Sequence, residues 1–239
     1  MRACRVRTTL RLLGGSVMAL LLASCSPSGN QPKLTITSMV TVASAPAASD
    51  NPPTSSSAAA PEPPSPGAAF DQVAAWVESA PEAAASNYRT GTDYEGKKHS
   101  LDHGELAFTS PSQKITCYGS GGLYCSVDFQ NPLPKPPTAY GNWLPGIVIF
   151  SDDGLHIGQG RGDPPTFYFT GNGPELPYGQ KISFGEDGNR YTCRMEQSGL
   201  TCVNKAQGSG ALLSDQGVVP YGCLRESAEV GNSAKAYKC

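Results

Sequence analysis

Apolar and polar residues follow four rhythms along this chain. Leu12–Ala23 is an apolar run, and after Val42 large apolar residues almost vanish until Phe70. Over Ala69–Ser79, residues Phe70, Val73, Ala74 and Val77 recur at i, i+3, i+4 and i+7, with Trp76 beside the stripe. That spacing predicts an amphipathic helix. Pro66 suits a first helical turn, Pro81 ends the run, and Pro81–Ser86 offers a further helical turn. From about Glu105 the rhythm changes to short β-branched and aromatic runs between Gly, Pro, Asn and Asp. These predict strands at Leu106–Thr109, Lys114–Tyr118, Leu123–Phe129, Gly146–Ser151, Leu155–Gly158, Thr166–Thr170, Lys181–Gly185, Gly210–Ser214 and Val218–Tyr221.

Two stretches organise this strand-rich part. In Thr109–Asp128 and Phe184–Asn204 a Thr-Cys pair (Cys117, Cys193) is followed by turn residues and a second cysteine (Cys125, Cys202). Each reads as a β-hairpin with one cysteine per arm. Pairing symmetric about Gly121 sets Cys117 opposite Cys125. Pairing centred between Gln197 and Ser198 sets Cys193 opposite Cys202, and Met195 opposite Leu200. Directly opposed β-carbons are close enough for a cross-strand disulfide. The expected fold is mainly β: a single disulfide-braced β-sandwich or irregular barrel, spanning 69–239, with one N-terminal helix covering a sheet face or an open edge.

The first 24 residues read as a processing segment. Arg2, Arg5, Arg7 and Arg11 form a basic start, and the apolar run is too short to span a bilayer, which takes roughly 20 residues. It ends in Leu22-Ala23-Ser24-Cys25, which resembles a bacterial lipobox. Cys25 is therefore the expected lipidation site, tying the chain to the outer face of a cell membrane through diacylglycerol and acyl chains such as palmitate. Ser26–Gly67, rich in Pro, Ser, Ala and Thr, cannot bury enough apolar surface to offset its ordering entropy and reads as a disordered tether, with Lys33–Val42 a weak strand-like patch. Its threonines and serines are open to glycosylation.

Cysteine count sharpens the compartment. With Cys4 removed and Cys25 assigned to lipid, Cys117, Cys125, Cys193, Cys202, Cys223 and Cys239 remain, an even number suited to an oxidising location. Nearest-neighbour pairing is preferred, the last bridge, Cys223–Cys239, pinning a polar tail. No CxxC occurs, which disfavours a zinc site. Eighteen basic against 20 acidic residues give a net charge of −2, so nothing points to nucleic acid.

Residues that could carry chemistry are few. His99, Asp102, His103 and Glu105 have the content of a metal cluster, but Gly104 and the adjoining strand pattern argue for a turn. His156 is the third histidine. There is no Gly-x-Ser-x-Gly elbow around Ser209. Asp152, Asp153, Glu175, Glu186 and Asp187 stand in turn contexts, and the tripeptide Arg161-Gly162-Asp163 reads as a turn. Neither a metal, a cofactor nor a catalytic residue is assigned. Exposed aromatics near Pro/Gly loops, Trp143, Tyr168 and Tyr178 above all, are the candidate ligand contacts, for glycan or peptide.

The block Phe108–Cys117, Leu123-Tyr124-Cys125, Leu176–Gly179, Cys193 with Ser198–Asn204, and Gly208–Ser214 together resemble a family of actinobacterial (mycobacterial-type) secreted proteins and lipoproteins of uncharacterised function. The resemblance covers roughly Phe70–Ser214. Relatives often carry another cysteine pair near Trp143 and Asp163; here both are missing, and Cys223 and Cys239 are extra. The resemblance implies location and fold. The expectation is a membrane-anchored envelope lipoprotein without catalysis, bound to a cell-wall glycan or an envelope protein. The alternative is an envelope hydrolase or metal-dependent enzyme with a His/carboxylate site.

Overall fold

The computed structural model describes residues 62–93, 95–162 and 172–239. The expected signal segment, Cys25, nearly all of the expected tether and the expected strand Thr166–Thr170 lie outside these residues. The described part is mainly β, in three layers. One helix, α1 (Phe70–Glu78), lies outermost. A short 3-10 turn at Ala85–Tyr88 and a two-stranded ribbon, β1 (Thr90–Thr92) with β2 (Lys98–Ser100), lead into the sheets.

The larger sheet begins with a meander: β3 (Leu106–Thr109), β4 (Ile115–Gly119), β5 (Leu123–Val127), β6 (Asn142–Ser151) and β7 (Gly154–Arg161). The smaller is a second meander: β8 (Lys181–Glu186), β9 (Asn189–Glu196), β10 (Gly199–Asn204), β11 (Ser209–Ser214) and β12 (Gly217–Gly222). The chain then returns to the larger sheet as β13 (Arg225–Ser227) and β14 (Lys235–Lys238), with β14 pairing against β7. The larger sheet thus has the order β13-β14-β7-β6-β5-β4-β3. Both sheets are open, so the molecule is a sandwich and not a barrel.

Alternation explains how the layers meet. Successive strand residues point to opposite faces. Along β10, Leu200 and Cys202 face the inter-sheet core, while Val203 joins the helix-side cluster with Val73, Trp76, Val77 and Tyr221. The core gathers Phe108, Phe150, Leu155, Phe184, Tyr191, Met195 and Leu213 from both sheets. Tyr191 stacks on Phe184 and meets Phe150 edge-on across the sandwich. The helix covers a sheet face, one of its two expected places. Val73 and Val77 are fully buried there, which at roughly 25 cal/mol per Å² is worth about 2 kcal/mol each.

Both hairpin registers agree with the sequence. Cys117 pairs with Cys125 and Cys193 with Cys202 as direct cross-strand partners, and Met195 faces Leu200. Disulfides join Cys117–Cys125, Cys193–Cys202 and Cys223–Cys239.

Other expectations shift. Residues 81–83 are not helical: they pair with the edge of β8 through Glu82 and Lys181, and the 3-10 turn begins only at Ala85. Covering an open edge in this way satisfies its backbone groups. Upstream of the helix, the Tyr221 hydroxyl donates to the Pro64 carbonyl at 3.1 Å. Strand β6 begins four residues earlier than expected, with Pro145 accommodated at an irregularity in its register with β7 between Leu144 and Val148.

Candidate functional site

The helix is fixed by a buried cation. Arg194 on β9 is 3% exposed. Its Nη1 donates to the Trp76 carbonyl at 2.7 Å and to Ser79 Oγ at 3.1 Å, its Nε donates to Glu196 at 2.7 Å, and its guanidinium lies 4.0 Å from the Trp76 ring centroid. The side chain thereby satisfies a carbonyl near the helix C-terminus and stacks on the helix's largest residue. Every contact here is internal, so this is an anchor for α1.

The three histidines are dispersed. His99 sits on β2, with Nε2 2.7 Å from Asp93 Oδ2, and its hydrogen bond holds the Asp93 carboxyl below its ordinary value. His156 on β7 lies 3.4 Å from Ser233 Oγ, and burial, with Lys238 nearby, holds its imidazole below its ordinary value. His103 is in the turn before β3 and is exposed. Among the described residues no group of three or more His, Cys, Asp or Glu is arranged to hold a metal ion.

The aromatic candidates are not gathered into one patch. Trp143 opens β6, where its ring lies against Gly158 and its Nε1 donates to the Leu133 carbonyl at 3.0 Å. Tyr178 packs half-buried against the inter-sheet core and lines two clefts beside Gln197 and Ser198; Trp143 lines neither. Tyr168 and the end of Arg161-Gly162-Asp163 lie outside the described residues. Ser209 is buried, its hydroxyl donating to Gln207 at 3.3 Å.

The polar groups converge elsewhere, where the turn before β3 crosses the β8–β9 hairpin. The Gly185 amide donates to the Gly104 carbonyl at 3.2 Å, tying the two segments together. A Cβ at Gly185, where φ is +87°, would meet the Asn189 carbonyl at 2.5 Å. Glycine is thus required both by the backbone conformation and by the close approach.

Two adjoining lobes open on either side of this junction. One, of about 330 Å³, is lined by Asp102, His103, Glu105, Ser120, Glu186 and Asn189, among others. The second, of about 190 Å³, shares His103, Gly104, Glu105 and Gly185 and adds Arg89, Arg190, Ser183 and Phe184, among others.

Glu105 is held in place between the lobes. One carboxylate oxygen accepts from the Tyr118 hydroxyl and the other from the Asp102 amide at 3.0 Å. His103 and Glu105 were candidates from the sequence, but as a metal cluster with His99. The arginines were not, and nothing in the sequence marks them, because Arg89 and Arg190 are about a hundred residues apart and meet only through sheet packing. Comparison with protein-family models, curated proteins and solved structures finds no match for the chain.

Proposed function

We propose that this chain is a cell-envelope lipoprotein, anchored by a lipid on Cys25 at the extracytoplasmic face of the membrane. Its disulfide-braced β domain serves as a binding or structural module without catalysis. One observation carries this reading: all six cysteines beyond Cys25 are paired in three bridges. Such complete oxidation belongs to an exported domain. It leaves Cys25, directly after Leu-Ala-Ser, as the thiol free for acylation in a chain processed as the sequence predicts. The resemblance of the hairpin blocks to actinobacterial secreted proteins and lipoproteins points the same way. A binding partner in the envelope, a wall polymer or another protein, fits a domain whose polar cleft is open to solvent.

The test is intact mass and detergent partition of the protein extracted from its host's membranes. The expected result is a diacylglyceryl adduct on Cys25, with Cys25→Ser moving the protein to the soluble fraction. An unmodified Cys25 in a protein that remains soluble overturns the reading.

A second reading, an envelope hydrolase or metal-dependent enzyme, is favoured by His103 lining one cleft with Asp102, Glu105 and Glu186. Against it, among the described residues His103 donates no hydrogen bond to a carboxylate that would orient it, and an acid–base histidine needs such an orienting group. Hydrolysis of an envelope substrate that needs zinc or copper and is lost in His103→Gln would establish this second reading, and a metal-induced rise in melting temperature without it would not.

A further inference from the structure

The two lobes around Gly104 and Gly185 carry opposite charge and do not neutralise each other. Asp102, Glu105 and Glu186 line the first, with no lysine or arginine among its lining residues. Arg89 and Arg190 line the second. Arg89 is half-buried and no described carboxylate lies within ion-pair distance of it. Arg190 has only Asp187 at 3.5 Å, on a side chain fully open to water. A pairing so exposed is worth little and yields readily to a ligand.

The obvious internal partner for Arg89 is Glu105, which lines the same lobe. The Tyr118 hydroxyl and the Asp102 amide occupy its two oxygens and hold it in place. The fold therefore keeps a guanidinium and a carboxylate apart in one small cleft, where free side chains would close on each other. A guanidinium held open in a half-buried site is suited to a carboxylate, which it can grip through two parallel N–H donors. Phosphate meets the same donors, but three carboxylates next door repel a dianion. An ammonium group beside the carboxylate turns that acidic lobe into an attraction.

We infer that this cleft binds a short peptide bearing both a free carboxylate and a free ammonium group, with the carboxylate on Arg89 and Arg190 and the ammonium against Glu186 and Asp102. This deepens the proposed envelope-binding role and rests on it for the source of the peptide, which is either wall-attached or soluble. Binding itself depends only on the folded domain.

The experiment is an NMR titration of the full chain in detergent with trialanine, N-acetyl-trialanine and trialanine amide. Trialanine is expected to shift the amides of Ser120, Gly121, Gly185 and Asn189 saturably, with a millimolar Kd, while either capped form binds roughly tenfold more weakly or worse. Arg89→Gln is expected to weaken trialanine binding to the level of the amide without further weakening the amide. Glu186→Gln is expected to do the same for the ammonium end, judged against the acetylated peptide. No saturable shift, or equal binding of all three peptides, overturns the inference. Retention of the chain on purified wall material, lost after an amidase strips its peptides, assigns the source to the wall. Trialanine binding without such retention assigns it to soluble peptide. Neither result depends on the lipid, so a chain found unacylated at Cys25 would refute the anchoring while leaving the peptide result standing.

Discussion

Removing the cation under the helix gives the sharpest test of how this fold is held. In Arg194→Met the stem still fills its space between β9 and α1, but the guanidinium is gone. Arg194 and Glu196 are 4% and 20% exposed in their side chains, so the pair is largely shielded from water. Breaking a buried pair from one side costs about 3–5 kcal/mol, because the other charge is left uncompensated. Two features set the value at the lower end. Glu196 keeps some access to solvent, and the Trp76 carbonyl is not stranded, since the Ser79 hydroxyl still donates to it at 2.8 Å. Loss of the stacking on Trp76 adds about 1 kcal/mol. The expected cost is therefore about 3–4 kcal/mol in chemical denaturation under non-reducing conditions. Adding Glu196→Gln to Arg194→Met removes the stranded charge and should recover about 1–2 kcal/mol. A cost below about 1 kcal/mol for the single variant, or no recovery in the double, would refute the view that this buried pair docks the helix.

Three further outcomes follow from individual residues. The Tyr191 hydroxyl is buried, with the Asn204 amide as a polar neighbour but no partner in good hydrogen-bonding geometry, and burial, outweighing that neighbour, pushes its phenol up to about 12; Tyr191→Phe should be neutral or stabilising by up to about 1 kcal/mol in denaturant melts, and a loss larger than that contradicts it. Hydrogen bonds from Lys114, Gln130 and Gln216 hold the Asp215 carboxyl down at about 2. The unfolded chain therefore takes up this proton first as pH falls, and the stabilisation from Asp215, full above the ordinary carboxylate value, fades as pH falls toward about 2. Asp215→Asn should flatten that part of the acid-denaturation curve, and a curve unchanged by the substitution would sink the assignment. Gly173 lies against β3 so closely that a Cβ would sit 2.1 Å from the Ala107 carbonyl; Gly173→Ala should cost about 2 kcal/mol or more and speed amide exchange at Thr109 and Leu176, which bond across that edge.

How far the sequence could be read depended on the range of the forces involved. The hairpin registers were legible because a turn centre and a two-residue side-chain period fix pairing within some 20 residues. Cys117–Cys125 and Cys193–Cys202 follow from that local geometry alone. The helix stripe was legible for the same reason, down to Val73 and Val77 as buried positions. Strands β1, β2, β13 and β14 were not, because they are short and polar and hold their shape only through partners. Tyr237 lies on a strand because it pairs with Leu155, more than eighty residues earlier. Arg194 shows the same limit: on a strand of alternating residues it reads as a surface cation, and only the docked helix buries it.

By itself, then, the amino-acid sequence determined the mainly β class, the two cysteine-bridged hairpins and the amphipathic helix. Each rests on local periodicity or on counting. Tertiary structure decided how the strands divide into two open sheets, that the tail becomes an edge of the larger one, and which side chains share a cleft. His103, Glu105, Arg89 and Glu186 line adjoining lobes because the Gly185–Gly104 hydrogen bond ties the turn before β3 to β8, an arrangement set by burial of the common core and invisible in the spacing of the residues themselves.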